Sequence, residues 1–445
     1  MNSKIDFVNG GTRKSLFCMV MPLLMAMFLT MAYNLVDSLW VGNLLGGNGY
    51  AALTESTAVI LILNAIGMGA GNGVSILISQ IIGAGEKDKA EQVISVIMVL
   101  SAAFSIILTI VTEAGLKRIL VGMGTPLEIL DDTYSYLSVY LPGYFFIYLY
   151  MQFTAVFRAF GDPMFQMKGM LLSTLLNACI DPMFIQCMGL RGAAWATVLS
   201  EVLCYGYALF YYRKKRIFRI QPGSAFAHRE YIRPVLKDAI PSAVQQCMPA
   251  VSSAVMTILV SRFGVQMIAA YGVATKLEIF LFYPAMAVNM ALVTIVGQCI
   301  GAKRIDRAKE YLRCACIYGG AAIGIVTVTV FALSGQLSGL FVPDGSAAEM
   351  VKTFLGIVSV GYVMYMLTSC FLGFMSGAGK PGLSMLLFFI YYIVIRIPLA
   401  ILLIYTGLGI TGIWFAILIS HIAAALIAWI AVKELTRRRG VMQRH

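Results

Sequence analysis

The sequence predicts an all-α integral membrane protein with twelve transmembrane helices, arranged as two six-helix lobes. Composition is the first reason, because 60% of the residues are hydrophobic, 12% are charged and the mean hydropathy is +0.84. A soluble domain carries about 25% charged residues. The second reason is that the apolar residues form runs of roughly 20 or more, the length that crosses a bilayer. The third reason is an internal repeat that relates the two halves of the chain.

Twelve apolar runs of spanning length follow one another along the chain. Glycine and proline interrupt several of them, as membrane helices tolerate. A large soluble β protein would instead show short alternating strands. The predicted spans are residues 16–41, 51–82, 92–113, 133–157, 164–187, 193–212, 235–261, 268–299, 310–333, 350–376, 382–405 and 412–432.

Lysine and arginine are distributed unevenly among the segments that join these spans. If the N-terminus is cytoplasmic, 26 of them lie in cytoplasmic segments and five lie on the other side. The positive-inside rule therefore predicts a multi-pass protein of the cytoplasmic membrane with both termini in the cytoplasm. The same distribution accounts for the net charge of +12, so nucleic acid is not an expected partner.

An offset of 218 residues relates the two halves. Because six spans per half is an even number, the halves have the same orientation, and a binding cavity between two lobes is expected. The longest polar segment separates them, which gives an N-terminal lobe at 1–212, a cytoplasmic linker at 213–234 and a C-terminal lobe at 235–445. The matching pairs include Thr57 and Thr275, Gln80 and Gln298, Gly83 and Gly301, Gly161 and Gly379, Pro163 and Pro381, and Gly189 and Gly407.

Two of the acids inside predicted spans stand out because each has an amide about one helical turn away. Asp37 belongs to span one and Asp181 to span five, and each has an amide nearby, Asn34 and Asn177 respectively. On a helix, residues three or four apart lie on one side. A charge near the middle of a bilayer costs at least ~2.5 kcal/mol, so by default it marks a functional site.

The repeat argues against a purely structural role for these acids. Under the offset, Asp37 meets Val255 and Asp181 meets Leu399, so packing alone does not require acids at these places. A carboxylate in low-dielectric surroundings favours binding a proton. A sodium ion takes the place of that proton if neutral oxygens, such as those of the two amides, complete its shell. The sequence leaves H⁺ and Na⁺ both open.

Two further features each have a structural and a functional interpretation. Pro22 removes a backbone hydrogen bond from span one, which gives either a static kink or a hinge whose angle depends on the protonation of Asp37. Glu278 and Lys276 lie in span eight, and a salt bridge along or between helices is the favoured explanation. Candidate further members of such a network are Glu55 of span two and Arg396 of span eleven. A second-lobe coupling acid is the alternative for Glu278.

Sequence motifs for nucleotide binding and hydrolysis are not found. The chain has no Gly-Lys-Ser/Thr loop, no His-Glu-x-x-His and no Gly-x-Ser-x-Gly, and its nine cysteines show no metal-ligand spacing. We therefore expect a protein that is not an enzyme and has no cofactor, with H⁺ or Na⁺ as its coupling ion.

Several motifs occur together in a specific order. They are the first span from Pro22 to Asp37 with Asp37-Ser-Leu-Trp-Val-Gly42, Gln-x-x-Gly-Ala at 80–84 and 298–302, Gly161-Asp-Pro163, Gly379-Lys-Pro381, Asn177-x-x-x-Asp181-Pro182 and Gly192-Ala-Ala-Trp-Ala-Thr197. In this order the chain resembles the multidrug and toxic compound extrusion (MATE) family over nearly its full length. The resemblance implies a V-shaped, twelve-helix antiporter that exports cationic or amphipathic compounds in exchange for H⁺ or Na⁺.

Within that family the chain looks like the DinF-like branch, which keeps its coupling acids in the N-terminal lobe. The resemblance implies an ion site, for H⁺ or Na⁺, at Asp37, Asn177 and Asp181, with Thr197 as a fourth member. The other branch places acids on spans seven and ten. Here span seven offers two glutamines and span ten has no acid, so this sequence departs from that pattern.

Three other classes share part of the pattern. A lipid or lipid-linked oligosaccharide flippase has a related architecture, but the predicted central spans are poor in Arg and Lys, whereas flippases often have a basic cavity. A major-facilitator-type transporter would have a basic Gly/Asp/Arg loop between spans two and three, and a membrane enzyme would need a catalytic cluster at one membrane face. The sequence shows neither feature. We therefore predict a multidrug efflux antiporter, monomeric and surrounded by membrane lipid, whose partners are organic cations or amphipathic drugs.

Overall fold

The computed structural model describes residues 5–225, 227–333, 336 and 345–442, and within them the chain folds into helices joined by short turns. The predicted cytoplasmic ends at 1–4 and 443–445 lie outside these residues. The helices are α1 (Thr12–Gly83), α2 (Lys87–Met123), α3 (Leu127–Ala159), α4 (Met164–Met188), α5 (Leu190–Lys215), α6 (Pro222–Ala225), α7 (Ile232–Ser261), α8 (Val265–Gly301), α9 (Ile305–Ala332), α10 (Gly345–Val358), α11 (Gly361–Gly377), α12 (Pro381–Phe389), α13 (Arg396–Leu403) and α14 (Ile410–Met442).

The helices confirm the prediction of an all-α membrane protein. Among the described residues, nine helices are long and apolar enough to cross a membrane, or ten if the bent pair α10–α11 counts as one span. Two more crossings follow because α1 has 72 residues, more than twice the roughly 20 that one crossing needs, and because α3 has 33. Each predicted span lies within these helices to within one residue at its ends, apart from the turn at residues 359–360 in span 350–376 and the π-helical segments Ile390–Ile395 and Ile404–Leu408 in span 382–405.

A single glycine separates the first two spans. Gly46 has φ +72° and ψ −162°, a backbone conformation that interrupts α1 and that residues with a Cβ rarely adopt. The predicted spans 16–41 and 51–82 lie on either side of it. One residue therefore replaces the connecting loop between spans one and two.

The chain divides into two compact units. Met21–Ala243 belong to unit 1, whereas Asp6–Val20 and the chain from Val244 onward belong to unit 2. The predicted linker 213–234 lies wholly within unit 1, where the Ile220 amide donates to the Tyr212 hydroxyl and the Gln221 amide donates to Ser95. The predicted boundaries at 212 and 235, as limits of functional lobes, stay a prediction.

The core of unit 1 is built where α3, α4 and α5 pack together. Leu137 and Leu141 of α3 and Ala193 and Ala194 of α5 have no solvent exposure. Small alanines on α5 let the bulky side chains of α3 approach closely, as dense packing requires. Gly189, with φ +62°, turns the chain directly from α4 into α5, so polar residues of both helices end up side by side.

Helix α7 lies very close to α1 inside unit 1. A Cβ on Gly69 would be 2.3 Å from the Ala243 Cα, and one on Gly73 would be 2.4 Å from the Ala239 Cα. No real Cβ makes contacts that short, so glycine is needed at both places for the two backbones to meet.

Unit 2 includes the segment Asp6–Val20, with the beginning of α1. Arg307 donates hydrogen bonds to the Thr12 hydroxyl and to Glu310, both at 2.7 Å, and also to the Gly10 carbonyl. The Thr12 hydroxyl in turn donates to Glu310 at 2.6 Å. The beginning of α1 is thus held by α9, within unit 2, before α1 continues into unit 1 at Met21.

Two irregular segments shape the second half of unit 2. Helices α10 and α11 are bent by 47° at residues 359–360. Ile390–Ile395 form a π-helical turn between α12 and α13. Such turns are rare and often mark functional positions, and this one includes Tyr391 and Tyr392, both buried.

Candidate cation site

The two predicted acids meet inside unit 1. The Asp37 side chain, on α1, and the Asp181 side chain, on α4, lie within hydrogen-bonding reach of each other. Asp37 is 7% exposed and Asp181 is fully buried. Because two carboxylates in contact repel strongly in low dielectric, this geometry requires a bound cation or a shared proton.

The predicted pairing within α4 is present. The Asn177 Nδ2 group donates to the Asp181 Oδ1 atom at 3.0 Å, across one turn of the helix. Asn177 is fully buried, and its Oδ1 atom has no hydrogen-bond partner among the described residues. The amide therefore fixes the orientation of the acid and offers a neutral oxygen at the same place.

Unsatisfied oxygen atoms are concentrated around this pair. Buried polar atoms are nearly always hydrogen-bonded in proteins, so a group of unpaired ones is informative. In the described part of the chain, the buried oxygens without a partner in this region are Asp37 Oδ1, Asp181 Oδ2, Asn177 Oδ1 and Thr197 Oγ1. Carboxylate, amide and hydroxyl oxygens are ligands of hard cations, so these residues fit either a sodium ion or a proton with water.

Phenol groups enclose the site. The Thr197 hydroxyl on α5 lies within hydrogen-bonding reach of the phenols of Tyr33 and Tyr136, and both tyrosines lie in the neighbourhood of Asp37. Tyr33 lies one helical turn before Asp37 on α1, and Tyr136 belongs to α3. The site is thus assembled by four helices of one unit, and sequence reasoning had not identified the two tyrosines.

Asn34 does not join this cluster. Its side chain is exposed, whereas Asp37 is buried. Tyr33, one helical turn before Asp37, is buried with it, whereas Asn34 lies on a more exposed part of the same helix. An assisting role for Asn34 stays a prediction.

A third acid was also missed. Glu201 lies one helical turn after Thr197 on α5 and accepts a hydrogen bond of 2.9 Å from Ser173 of α4. The signal that identified Asp181, an acid within an apolar span, applies equally to Glu201, which lies within predicted span six. Its distance from the other two acids in sequence hid the relationship.

Pro22 lies within a continuous stretch of α1, two residues after the point at which the helix passes from unit 2 to unit 1. It is buried, and no cis peptide bond occurs in the described chain. Its position agrees with either a static kink or a hinge, so the hinge stays a prediction.

Glu278 does not share its surroundings with Lys276, the partner first considered, but with Tyr362 and Arg396. The Tyr362 hydroxyl donates to Glu278 Oε1 at 3.1 Å, and Arg396 is the charged group that acts on Glu278. Lys276 is exposed, whereas Glu278 is only 8% exposed, so the two do not share an environment. The membership of Arg396 in this network agrees with the structural interpretation, and a coupling role for Glu278 stays a prediction.

Arg396 is held by a shell of aromatic and polar groups in unit 2. Its guanidinium donates to Ser420 Oγ at 3.0 Å and to Tyr391 Oη at 2.6 Å, and it stacks 4.6 Å from the centre of the Tyr392 ring. The Tyr391 hydroxyl also bonds to His421 Nδ1 at 2.8 Å. These contacts fix the arginine in place.

Comparisons with known proteins agree with this architecture. A family model described as MatE matches residues 22–183 and again residues 241–402, once in each half. The probable multidrug resistance protein YpnP of Bacillus subtilis is 26% identical, covering 97% of this chain and 99% of its own. The multidrug export protein MepA of Staphylococcus aureus is 25% identical, covering 98% and 96%.

The fold also matches solved structures. One, of a transporter of the MOP superfamily from Pyrococcus furiosus, superposes with a TM-score of 0.93 at 23% identity and covers 99% of both chains. At this identity the match establishes the shared fold. It also confirms the predicted two repeated lobes with twelve helices.

Proposed function

The chain belongs to the MatE family of transporters, and from this premise we propose that it is a secondary active multidrug efflux antiporter. It would export cationic or amphipathic compounds across the cytoplasmic membrane in exchange for H⁺ or Na⁺. The observation that carries the proposal is the contact between two buried carboxyl groups, Asp37 and Asp181, in surroundings without a basic side chain among the described residues.

Exchange follows from the chemistry of this site. With one bound Na⁺ or proton the two acids share a single negative charge, and without it two buried negative charges lie next to each other, which costs several kcal/mol more. That difference in free energy distinguishes the loaded and unloaded states of unit 1. Antiport requires that the transporter changes conformation only after one cation has replaced another at the site. The difference in free energy between the loaded and unloaded states would supply this requirement.

Asn177 and Thr197 would complete the ion shell. Asn177 holds Asp181 through its amide nitrogen and offers its oxygen, and Thr197 offers a hydroxyl from α5. Pro22 would permit α1 to bend when Asp37 loses or gains its proton. The names of the relatives YpnP and MepA support drugs as the class of substrate, and the charge distribution supports cytoplasmic termini.

The direct test is ethidium transport by purified protein in lipid vesicles, driven by a pH gradient or a sodium gradient. Asp37→Asn and Asp181→Asn are each expected to lose gradient-driven transport by more than about a hundredfold, because the site then keeps only one of its two charged ligands. Asp131→Asn is the matched control, since Asp131 is exposed on α3. Full transport by both variants would overturn the proposal.

A lipid flippase is the alternative outcome of this experiment. If vesicles with wild-type protein move a fluorescent phospholipid between leaflets and leave ethidium untransported under either gradient, the antiporter proposal fails and the flippase is favoured.

A further inference from the structure

An apolar groove lies in unit 1 where the segment before α7 packs against α2, and the proposed exchange at Asp37 and Asp181 does not use it. Its volume is about 290 Å³. Sites for drug-sized ligands have about 300–1,000 Å³, so this groove fits part of a hydrocarbon chain better than a whole drug. Within the described residues it is lined by Val96, Val99, Leu100, Ala225, Arg229 and Ile232.

Two hydrogen bonds hold the segment before α7 against α2 beside the groove. The backbone amide of Gln221 donates to Ser95 Oγ at 2.9 Å. The Tyr231 hydroxyl donates to Gln92 Oε1 at 3.4 Å. The two walls of the groove are therefore fixed relative to each other, and the space between them is part of the fold.

The groove is continuous with the side of α2 that faces lipid. On a helix, positions 100, 104, 107 and 111 lie on one side. Phe104, Ile107 and Val111 are 42%, 59% and 63% exposed, in a helix apolar and long enough to cross a membrane. Apolar side chains so exposed on a membrane helix contact the acyl chains of the bilayer. An acyl chain can therefore pass along Phe104 into the groove at Leu100.

Arg229 brings a positive charge to the edge of the groove. Its side chain is exposed, and the acid next to it in the sequence, Glu230, bonds to His228 at 3.3 Å. The α2 residues of the groove lie in the first three turns of the predicted span 92–113, near one boundary of the membrane. An arginine there keeps its stem on apolar surface and its guanidinium among the polar head groups.

Other basic residues surround this arginine in the sequence, and all of them are exposed. They are Arg213, Lys214, Lys215, Arg216, Arg219, Arg233 and Lys237. In the predicted orientation they face the cytoplasmic leaflet, whose anionic lipids attract a basic segment beside a membrane helix. The basic segment thus favours an anionic head group and the groove favours an acyl chain, and a phospholipid supplies both.

The matching place in unit 2 is filled by aromatic side chains. Under the offset of 218 residues, Leu100 corresponds to Tyr318. The Tyr318 ring lies 6.0 Å from the Phe17 ring, and the Arg13 guanidinium lies 5.8 Å from the centre of the Tyr318 ring. A large ring thus stands in unit 2 where unit 1 has a smaller side chain beside an open groove.

We propose that this groove binds one anionic phospholipid of the cytoplasmic leaflet. Its phosphate would lie on Arg229, because a guanidinium binds phosphate through paired hydrogen bonds. Part of one acyl chain would lie between α2 and the segment before α7. The inference does not depend on the proposed function, since binding of the lipid needs neither an ion gradient nor a drug.

The test measures lipid binding by native mass spectrometry of protein purified in detergent. The protein is titrated separately with dioleoyl phosphatidylglycerol, which is anionic, and with dioleoyl phosphatidylcholine. Arg229→Gln is expected to weaken binding of phosphatidylglycerol about fivefold and to leave phosphatidylcholine unchanged. Arg219→Gln is the matched control, because Arg219 is exposed in the same basic segment and does not line the groove. It is expected to bind both lipids as the wild type does.

Leu100→Trp tests the apolar part of the site. Filling the groove should weaken binding of both lipids about tenfold, the equivalent of roughly two buried methylene groups. Ile107→Trp, on the exposed side of α2, is the control and should bind both lipids as the wild type does. Gel filtration shows that each variant is folded before it is titrated.

Three results would overturn the inference. Equal losses in Arg229→Gln and Arg219→Gln would mean that the basic segment attracts lipid as a whole, without a site at the groove. Wild-type binding in both Arg229→Gln and Leu100→Trp would mean that the groove is not occupied. Full displacement of phosphatidylglycerol by inorganic phosphate or by ethidium would make the occupant a free anion or a drug.

A photoreactive phosphatidylglycerol locates the lipid in the unaltered protein. With a diazirine in its acyl chain, it is expected to label residues 96–100 and 225–232, and excess unlabelled phosphatidylglycerol should suppress that labelling. Labelling confined to other segments would place the lipid elsewhere and refute the site.

Discussion

The two units come from one repeated sequence, yet their polar centres are opposite in kind. Tyr144 and Tyr362 occupy matching places in the repeat. In unit 1 the Tyr144 hydroxyl donates to the carbonyl of Leu63 at 2.5 Å, which is a purely structural bond. In unit 2 the Tyr362 hydroxyl donates to the carboxylate of Glu278. The same residue at the same position therefore serves backbone packing in one unit and a charge in the other.

The buried charges of the two units also differ. Unit 2 sets Glu278 and Arg396 in one network, so the buried negative charge has a positive one nearby. In unit 1 the carboxyl groups of Asp37 and Asp181 lie within hydrogen-bonding reach of each other, and neither has a basic neighbour in the described chain. A buried charge that has an opposite charge beside it in the protein is neutralised, whereas a buried carboxylate without such a partner needs a cation from outside the protein.

This difference indicates how a duplicated fold divides two tasks. Under the proposed function, the second unit pairs its buried charges internally, whereas the first unit holds buried carboxyl groups whose charge depends on an exchangeable ion. The predictions below test that division and are given in order of decreasing effect.

Arg396→Met should have the largest effect on stability. It leaves Glu278 buried without its positive partner, which is expected to lower the free energy of unfolding by about 3–5 kcal/mol. Adding Glu278→Gln should recover much of that loss. Denaturant unfolding of the single and double variants in detergent measures both values. A single variant as stable as the wild type would show that unit 2 does not depend on this pair.

Asn177→Leu should have the next largest effect, on transport. It removes the donor that holds Asp181, and a hydrogen bond to a charged group contributes about 1.5–3 kcal/mol. The gradient needed for half-maximal ethidium efflux should therefore change by about tenfold or more. Asn177→Asp tests geometry against charge, because it keeps the shape and adds a third acid. Wild-type efflux in Asn177→Leu would remove Asn177 from the site.

Thr197→Val should have a smaller effect. The substitution keeps the shape of the side chain and removes one hydroxyl oxygen, which is worth about 0.5–1.5 kcal/mol, so efflux should fall by several fold. Thr197→Ser keeps the hydroxyl and should behave like the wild type. Equal efflux rates for the valine and serine variants would contradict a role for this oxygen.

Asn34→Ala should have the smallest effect, within about twofold of wild-type efflux, because the side chain is exposed and does not reach the buried acids. A large loss of transport in this variant would restore Asn34 to the functional residues.

The comparison also explains what the sequence could and could not predict. The spans were predicted because an apolar run of membrane length is a property of consecutive residues. The Asn177–Asp181 bond was predicted because both residues lie on one helix at a spacing of four. The contact of Asp37 with Asp181 is different, since it joins α1 and α4 and depends on how those helices pack.

Asn34 and Glu201 illustrate what helical spacing alone does not predict. Spacing placed Asn34 near Asp37, but it does not predict which part of that helix face the other helices bury, and Asn34 is exposed. Glu201 carried the right chemical signal, and only the packing of α4 against α5 brought it to Ser173 and near Tyr33. The residue types indicated that acids within apolar spans are functional candidates, and the packing of the helices decided which of these acids lie close together.

The most direct test of the account is an ion-jump assay in vesicles containing Asp37→Asn or Glu278→Gln, with ΔpH and a Na⁺ gradient imposed separately. Both proteins are first shown to be folded by gel filtration, and transport is expressed per folded molecule. The account predicts that Asp37→Asn fails to transport ethidium under either gradient, while Glu278→Gln still responds to the gradient that drives the wild type. A coupled Asp37→Asn and an uncoupled Glu278→Gln would place the coupling ion in unit 2 and contradict it.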